Sequence, residues 1–499
     1  MLPVTVAGRA LQCSSLTTIS SICVEPMGRK GNYWGDGCNV LSDQNGRKEV
    51  EIVGKRGVVD RGFIDGATRF RPDGLVRLSM VDVQQGDGLI LETPSGKVIF
   101  IDGGDNQLFA RHANARFPKT SDQDPLIVDL ILITHGDADH FDGLSELKKS
   151  ETDARPEKRI FIAPKRVYHN GIVKRPTKNA DGRDRKESEM FGKTVKVNGE
   201  TFVVDLVDDQ ASVPQTERNG PFNKWVQTLA AWEPRVLQTT GANIERRRLD
   251  HKSEGAFNFL ADDNISVELL GPIAELVNGE VGLRFLREPP DDANLMLGTI
   301  APPSGGSLSA SHTINGHSIN FRLRYGNVRF LFTGDMNQEA GQRMREAMPG
   351  AAIRAEILKA PHHGSADFDM EFLKEVAPVV SLISSGDESE AKEYIHPRAT
   401  LMAALGKASR TTPAIIFCTE LAAFFKVLGY VTDPEDANRK VFAFERTNFG
   451  ISHIRTDGQR VLAFTHSGKK FLNEAYRFNV SATGEISFAA KVVKRKAPR

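Results

Sequence analysis

The sequence predicts an α/β protein built as an αββα sandwich, with two β-sheets packed face to face and helices on both outer surfaces. Strand patterns occur in two blocks, one from residue 75 and one from about residue 265, and helical patterns follow each block. Acidic residues and histidines stand where several of these strands end. Because each sheet must bury an apolar face, two sheets with helices outside is the arrangement that fits this order of elements.

The first block begins with three strands, which read VRLSMVDV, GLILETP and KVIFIDGG. A Pro-Ser-Gly turn joins the second strand to the third. A helical stretch from Gln107 to Arg116 then leads to the apolar strand IVDLILIT. After the polar segment THGDADHF, the pattern DGLSELKK predicts a helix that begins at Asp142.

The second block begins with the strand ISVELLGP and continues as a hairpin, SINFRLRY and VRFLFTGD, with Gly326-Asn327 at its turn. Helix and strand patterns alternate after the hairpin, in the order NQEAGQRMREAM, AEILKAP, FDMEFLKEVAP, VVSLISS and RATLMAALGK. This alternation predicts strands covered by helices on one face.

The chain divides into three predicted parts. Residues 1–74 are an N-terminal extension with short strands at best around Glu49 to Val59, residues 75–410 are the sandwich, and residues 411–499 are a β-rich appendage ending in the basic tail KVVKRKAPR. Within the sandwich, residues 150–264 look like an insertion. Its stretch 155–196 carries thirteen Lys and Arg against five Asp and Glu, which makes it either a solvated loop or an anion-binding rim.

Composition excludes several classes of protein. The net charge is +1 over 499 residues, so any nucleic-acid or membrane partner has to be recognised by a local patch. The four cysteines have no CxxC spacing, which favours reduced thiols in the cytoplasm. No stretch has the roughly 18 uncharged apolar residues of a membrane span, and the N-terminus lacks the pattern of a signal peptide. We expect a cytoplasmic protein without a membrane partner.

The segment THGDADHFDG carries two histidines and three aspartates directly after an apolar strand. Ionised carboxylates near a core are costly unless a positive partner neutralises them. The potential ligands His135, Asp137, Asp139 and His140 occupy positions 1, 3, 5 and 6 of HGDADH, a spacing that suits two divalent ions close together. The alternative, an Asp-rich turn that caps the helix at Asp142, explains one aspartate and neither histidine.

Other ligand candidates stand at the ends of predicted elements. Asp335 ends the strand VRFLFTGD, His362 and His363 follow the strand AEILK in APHHGS, and His396 precedes a helix in YIHPRAT. A histidine at a strand end is a better ligand candidate than one inside an element, where a hydrogen bond usually satisfies it. His363 and His396 are also candidates for contacting the substrate or protonating a leaving group.

These motifs occur in the order VDVQQGDGLILETPSGKVIFIDGG, THGDADHFDG, FLFTGD, HHGS and HP, and in that order the sequence resembles the metallo-β-lactamase fold. The branch it resembles is the soluble hydrolase domain of the competence protein ComEC, which has HxDxDH where most of the superfamily has HxHxDH. The resemblance covers about residues 75–149 and 265–410. It leaves out the extension, the basic insertion and the C-terminal appendage.

The resemblance implies one metal ion on His135 and Asp137 and a second on Asp139, His140 and His362. It also implies that Asp335 bridges the two ions and that Asp102 braces the ligand loop. The stretch SHTINGHSIN resembles the branch's N-x-x-S pattern through Asn315 and Ser318, and His317 is a candidate for an additional ligand. Because Asp137 stands where most relatives have histidine, the first site is richer in oxygen, which suits Mn²⁺ as well as Zn²⁺.

The predicted function is a metal-dependent hydrolase. Two cations would lower the pKa of a bridging water to about 7 and supply a hydroxide at neutral pH, with Asp139 positioning it. We favour phosphodiesters of DNA or RNA as substrates, because residues 155–196 and the basic tail offer contacts to a polyanion. Two alternatives stay open: hydrolysis of a small ester, lactone or lactam, and a degenerate metal-binding interaction protein.

Overall fold

The structure is a computed structural model. It describes residues 74–288, 307–348, 353–386, 396–420, 425–432, 438–446, 450–466 and 474–489, and parts of the first 73 residues at 11–13, 34, 37–44, 46–54, 57–66 and 70–71. The predicted basic tail lies outside these ranges. In the ranges that the structure describes, no helix is both long and apolar enough to cross a bilayer.

The N-terminal part forms an antiparallel sheet. Its strands are β1 (Leu11–Cys13), β2 (Gly37–Gln44), β3 (Arg47–Gly54), β4 (Gly57–Asp65) and β5 (Phe70–Arg71). They are ordered β4-β3-β2-β1-β5. More of this region is extended than the sequence predicts, because β2, β3 and β4 pair along nearly their whole length.

The first large sheet begins with the predicted meander. Its elements up to the HGDADH segment and the following helix are β6 (Val76–Met80), β7 (Gly88–Glu92), β8 (Val98–Asp102), α1 (Leu108–Arg116), β9 (Leu126–Val128), β10 (Leu130–Leu132) and α2 (Ala138–Ser150). Helix α2 begins four residues earlier than predicted, with Asp137 as its N-cap. Asp139 and His140 therefore lie in the first turn of the helix, and the predicted start of the helix at Asp142 was wrong.

The segment predicted as an insertion contributes to the sandwich. Its elements are β11 (Ile162–Pro164), β12 (Arg166–His169), β13 (Thr194–Val197), β14 (Glu200–Val203), α3 (Gly220–Thr240) and β15 (Glu245–Arg248). β12 pairs parallel with β10 and β15 pairs with β12, so both extend the first sheet. Helix α3 packs on α2 through Phe222 and Phe141, whose ring centroids are 4.8 Å apart.

The second large sheet comes from the predicted second block. Its region contains β16 (Ile265–Gly271), β17 (Ala274–Val277), β18 (Glu280–Arg284), α4 (Ala310–Gly316), β19 (Asn320–Tyr325), β20 (Val328–Phe332), α5 (Gln338–Ala347), β21 (Ile357–Lys359), α6 (Met370–Val376), β22 (Val380–Ile383), α7 (Ala399–Ala408) and β23 (Ile415–Cys418). The strand order is β16-β19-β20-β21-β22-β23, and β17 and β18 join a small separate sheet with β13 and β14. The predicted hairpin is β19–β20.

The C-terminal strands are β24 (Phe425–Thr432), β25 (Lys440–Arg446), β26 (Ile451–Thr456), β27 (Arg460–His466), β28 (Glu474–Val480) and β29 (Ile486–Phe488). β26 pairs antiparallel with β6, and β27 to β29 follow it outward. The first sheet therefore has the order β15-β12-β10-β8-β7-β6-β26-β27-β28-β29. This part of the predicted appendage is a continuation of that sheet.

Three apolar layers show how the sheets stack. Ile99 and Ile101 of β8 share one core with Phe330 and Phe332 of β20, so this core lies between the two sheets. Phe100 of β8 points the other way and packs against α1, α2 and α3, and Leu331 of β20 packs against α5, α6 and α7. Alternate residues of a strand face opposite sides of its sheet, which explains both assignments. The predicted αββα sandwich is confirmed.

Candidate metal centre

The ends of several strands meet at one edge of the sandwich. Asp102 ends β8, Thr134 and His135 follow β10, and Asp335 follows β20. The short 3-10 turn His362–Gly364 follows β21, and Asp87 lies in the connection from β6 to β7. In open α/β sheets the carboxyl ends of the strands are the usual place for ligand sites.

The Asp335 carboxylate lies at the centre of the site. Its Oδ2 atom is 3.0 Å from Nε2 of His363 and 3.2 Å from Nε2 of His140. Nε2 of His362 is 3.8 Å from the same oxygen. Asp335, His140 and His363 are almost fully buried. Three imidazole nitrogens thus converge on one buried carboxylate oxygen, and we call these four residues the Asp335 cluster.

Hydrogen bonds at the opposite ring nitrogens orient two of these histidines. Nδ1 of His140 donates to Asp102 Oδ2 at 2.8 Å, and Asp102 also accepts from the backbone N–H and the hydroxyl of Thr134. Nδ1 of His363 lies 3.4 Å from Asp87 Oδ1 and 3.2 Å from the Ser384 carbonyl oxygen. A carboxylate on the far nitrogen is the usual device that directs a metal-binding imidazole.

Asp87 is a site residue that the sequence analysis missed. Atoms of Asp87, His140, Asp335 and His363 lie within 4.8 Å of one another, so proximity alone makes Asp87 a ligand candidate. However, its Oδ2 forms an ion pair with Nζ of the buried Lys359, and its Oδ1 faces His363. We therefore assign Asp87 to orienting His363. The signal was present in QQGDG, an acidic residue between two buried strands.

The charges of the cluster favour a cation at its centre. Burial lowers the pKa of His140, but the carboxylates of Asp335 and Asp102 outweigh it and raise that pKa well above the usual value. Burial likewise lowers the pKa of His363, but Asp335 and Asp87 raise it to about 10. Burial raises the pKa of Asp335, yet the neighbouring histidines bring it well below its usual value. Without a metal ion, protons supply the positive charge here.

Two potential ligand atoms of the site lack hydrogen-bond partners among the residues that the structure describes. Nε2 of His135 and Oδ1 of Asp335 are buried and form no hydrogen bond with any residue that the structure describes. Burial holds the pKa of His135 well below its usual value, so this ring is neutral at pH 7. The donors are imidazole nitrogens and carboxylate oxygens, which Zn²⁺ and Mn²⁺ both accept. The residues therefore fit a divalent metal ion.

The aspartates of HGDADH face different surroundings. Asp139 Oδ2 is 3.6 Å from Nε2 of His363 and accepts a hydrogen bond from Gln85 at 3.1 Å, so it lies beside the Asp335 cluster. Gly86 makes this approach possible, since a Cβ there would stand 1.7 Å from the Asp139 carbonyl oxygen. Asp137 points elsewhere, and its Oδ1 is 2.7 Å from Nζ of Lys174.

His362 and His363 are held in an unusual backbone conformation. Their φ angles are 47° and 50°, in the left-handed region that residues with a Cβ rarely adopt. Such strain costs on the order of 1–3 kcal/mol per residue and persists where the surroundings demand it. Here it lets both rings of one HHGS turn face the site, with His363 nearer to Asp335 than His362.

Two further histidines lie at or beyond the edge of the site. The His396 ring centroid is 6.0 Å from that of His362, and burial together with His362 and His363 lowers its pKa to about 3. His317 is turned away, because its Nε2 donates to the Arg284 carbonyl oxygen at 2.7 Å. Ser318 is near the ligand loop instead, with its hydroxyl 3.3 Å from Nδ1 of His135.

Residues 155–196 carry less free charge than their composition indicates. Acidic side chains pair with eight of their cations, namely Arg155, Lys165, Arg166, Lys174, Arg175, Arg183, Arg185 and Lys193. Most of the partners, such as Asp205, Glu217 and Glu280, lie outside this segment. The charge of these cations is therefore largely balanced by neighbouring carboxylates.

Solved structures that resemble this chain include the following three. The metallo-β-lactamase fold protein YhfI from Bacillus subtilis matches 69% of this chain and 97% of its own, with 9% identity and a TM-score of 0.30. A metallo-β-lactamase superfamily protein from Thermotoga maritima matches 68% and 97%, with 9% identity and a TM-score of 0.23. A variant of the β-hydroxylase CmlA matches 64% and 47%, with 12% identity and a TM-score of 0.24.

No protein-family model matches the chain, and the comparison with curated proteins found no significant match. At the identities above, the similarities to solved structures concern the fold. The sandwich itself is established by the strand order and the three apolar layers described above. Function has to be inferred from the site.

Proposed function

We propose that the protein is a metal-dependent hydrolase whose centre is the Asp335 cluster. The observation that carries the proposal is the convergence of three imidazole Nε2 atoms on Asp335 Oδ2, within 3.0 to 3.8 Å. A purely structural role is a poor explanation, because a core does not need buried donors and acceptors that lack partners. The sequence predicts two ions, Zn or Mn, and this geometry supports one of them directly.

The protein's side chains would hold the ion and prepare the reaction. His140, His363, His362 and Asp335 would bind it, while Asp102 and Asp87 keep the rings oriented. A divalent ion held here lowers the pKa of water and stabilises negative charge on the attacked group. Asp139, whose side chain is 24% exposed, lies where solvent reaches the cluster and would orient the attacking water. His396 is neutral at pH 7 and would contact the substrate as an uncharged group.

We further propose phosphodiesters, in DNA or RNA, as the substrate class. Asp335 adds a carboxylate oxygen to the three imidazoles, and Zn²⁺ or Mn²⁺ in such a mixed site can polarise a phosphoryl oxygen. The motif resemblance to the ComEC branch supports the same class. Residues 155–196 contribute exposed cations in Lys178, Lys186 and Lys196, although many of their other cations are paired.

A substrate panel tests the proposal. Full-length protein would be supplied with Mn²⁺, Mg²⁺ or Zn²⁺ and given single-stranded DNA, duplex DNA, RNA, bis-p-nitrophenyl phosphate, a simple lactone and nitrocefin. We expect metal-dependent cleavage of the phosphodiesters, abolished by EDTA. Cleavage of only the lactone or nitrocefin would favour the small-molecule hydrolase, and metal binding without any turnover would favour the interaction protein.

A further inference from the structure

A lysine from the middle segment pairs with Asp137, one of the two residues predicted to hold the first metal ion. Nζ of Lys174 is 2.7 Å from Oδ1 of Asp137, and both side chains are mostly buried, at 27% and 19% exposure. The two residues lie 37 positions apart in the chain. An ammonium group at this distance supplies the charge compensation that a buried carboxylate requires.

The Asp137 carboxylate pairs with Lys174 and does not cap helix α2. It is the N-cap of α2, where aspartate normally accepts a hydrogen bond from a backbone N–H of the first turn. Its side chain makes no such bond, and only its backbone carbonyl oxygen accepts, from the N–H of His140 at 3.1 Å. The carboxylate is therefore directed to Lys174 at the expense of helix capping.

The backbone around Lys174 is held on both sides. Its carbonyl oxygen accepts from the N–H of Asn219, the N-cap of α3, at 3.1 Å. The next residue, Arg175, donates its N–H to the Met190 carbonyl oxygen and forms an ion pair with Asp205. Hydrogen bonds thus fix the backbone at Lys174 and at the residue that follows it.

Helix α3 also packs directly against the ligand loop. A Cβ at Gly136 would stand 2.6 Å from the ring of Phe222, which belongs to the first turn of α3. Helix α3, whose N-cap residue bonds to the backbone of Lys174, therefore also shapes the loop that carries His135 and Asp137.

We propose that Lys174 replaces one metal ion of the predicted pair, so that the centre binds a single divalent ion at the Asp335 cluster. The Lys174 ammonium group takes the place of that ion as the positive partner of the Asp137 carboxylate. This inference rests on the metal-dependent function proposed above and specifies its metal count. The centre would then act on its substrate with one divalent ion in place of two.

Metal stoichiometry tests the inference without relying on activity. Chelator-treated, full-length wild type, Lys174→Met, Lys174→Arg and Lys165→Met would be titrated with Mn²⁺ by calorimetry, and the bound ion examined by electron paramagnetic resonance. Lys165 is the matched control, because it forms a comparable ion pair, 2.8 Å from Asp129. Circular dichroism and thermal unfolding would establish that each variant is folded.

We expect one Mn²⁺ in wild type, Lys174→Arg and Lys165→Met, with the spectrum of an isolated ion. Lys174→Met should bind a second Mn²⁺ at least tenfold more tightly than wild type and show a spectrum of two coupled ions. Two ions of similar affinity in wild type, or a single ion in folded Lys174→Met, would overturn the role of Lys174 and leave the hydrolase proposal standing. If no variant binds a divalent ion, both proposals fail.

Discussion

The two halves of the HGDADH segment differ in what neutralises their carboxylates. In the second half, Asp139 and His140 lie beside Asp335 and His363, where ring nitrogens and carboxylate oxygens face one another. In the first half, Asp137 is paired with the ammonium group of Lys174. The same kind of residue thus lies beside the proposed metal centre at one position and forms an ion pair two residues earlier. Ligand spacing in a sequence does not distinguish these outcomes.

The largest effect is expected from Asp335→Asn. This change removes the charge on which three imidazoles converge, so tight metal binding should be lost and turnover should fall by roughly 1,000-fold, or about 4 kcal/mol at the transition state. Asp263→Asn is the control, since Asp263 pairs with Lys97 away from the site. Calorimetry with Mn²⁺ and rates on bis-p-nitrophenyl phosphate would be measured for both. Full metal affinity in Asp335→Asn would contradict the assignment of the centre.

Neutralising each aspartate of HGDADH tests the comparison itself. Asp139→Asn should reduce turnover by at least about 100-fold, because an oriented anionic group at the reacting centre is lost. Asp137→Asn should cost less than about tenfold, since it leaves the Asp335 cluster intact. Both rates would be measured on one phosphodiester at saturating metal. Equal losses of turnover in the two variants would mean that Asp137 and Asp139 contribute equally to the reaction, which would contradict the distinction between the two halves.

Asp102→Asn should weaken metal binding without unfolding the protein. Asp102 has a φ angle of 55°, and asparagine is among the residues that tolerate this region. Its amide would no longer hold His140 as a carboxylate does, and loss of such an orienting group typically costs about 10- to 100-fold in metal affinity. Thr134→Val, which removes a hydroxyl bonded to Asp102 and spares the carboxylate, should have a smaller effect.

Metal binding should tighten as the pH rises. The raised pKa values of His140 and His363, the latter to about 10, keep both rings protonated at pH 7 in the metal-free protein. A ring nitrogen must lose its proton before it can bind a metal ion, so binding releases these protons. The free-energy cost of removing them falls as the pH rises. Calorimetry in buffers of different ionisation enthalpy would count the protons. Affinity that does not change between pH 6 and pH 9 would contradict this.

The smallest effect is expected from the exposed lysines of residues 155–196. Changing Lys178, Lys186 and Lys196 to Gln leaves the ion pairs of Arg175 and Arg185 intact, so the fold should be unaffected. If these lysines contact phosphates, each loss should reduce the log–log salt slope of nucleic-acid binding by roughly 0.7 to 0.9. An unaltered slope, measured by fluorescence anisotropy, would identify the segment as a solvated surface.

Much of the site was predictable because its residues occupy characteristic places in the sequence. Asp102, His135, Asp335 and His362 each stand at or just after the end of an apolar strand, and short apolar runs bounded by polar residues identify those strands without a structure. The start of α2 was not predicted, because HGDADH lacks the apolar spacing of a helix. Asp87 was overlooked for a similar reason, since a single aspartate in a loop between strands also suits a turn.

The sequence alone determined the fold class and which residue types stand at the strand ends, because both follow from local periodicity and from the cost of burying charge. The tertiary structure decided which ring nitrogen of His140 and His363 faces Asp335, and that Lys359 and Lys174 pair with Asp87 and Asp137. These contacts join segments that lie far apart in the chain. Their geometry depends on how the two sheets and α3 pack, and local sequence patterns do not determine that packing.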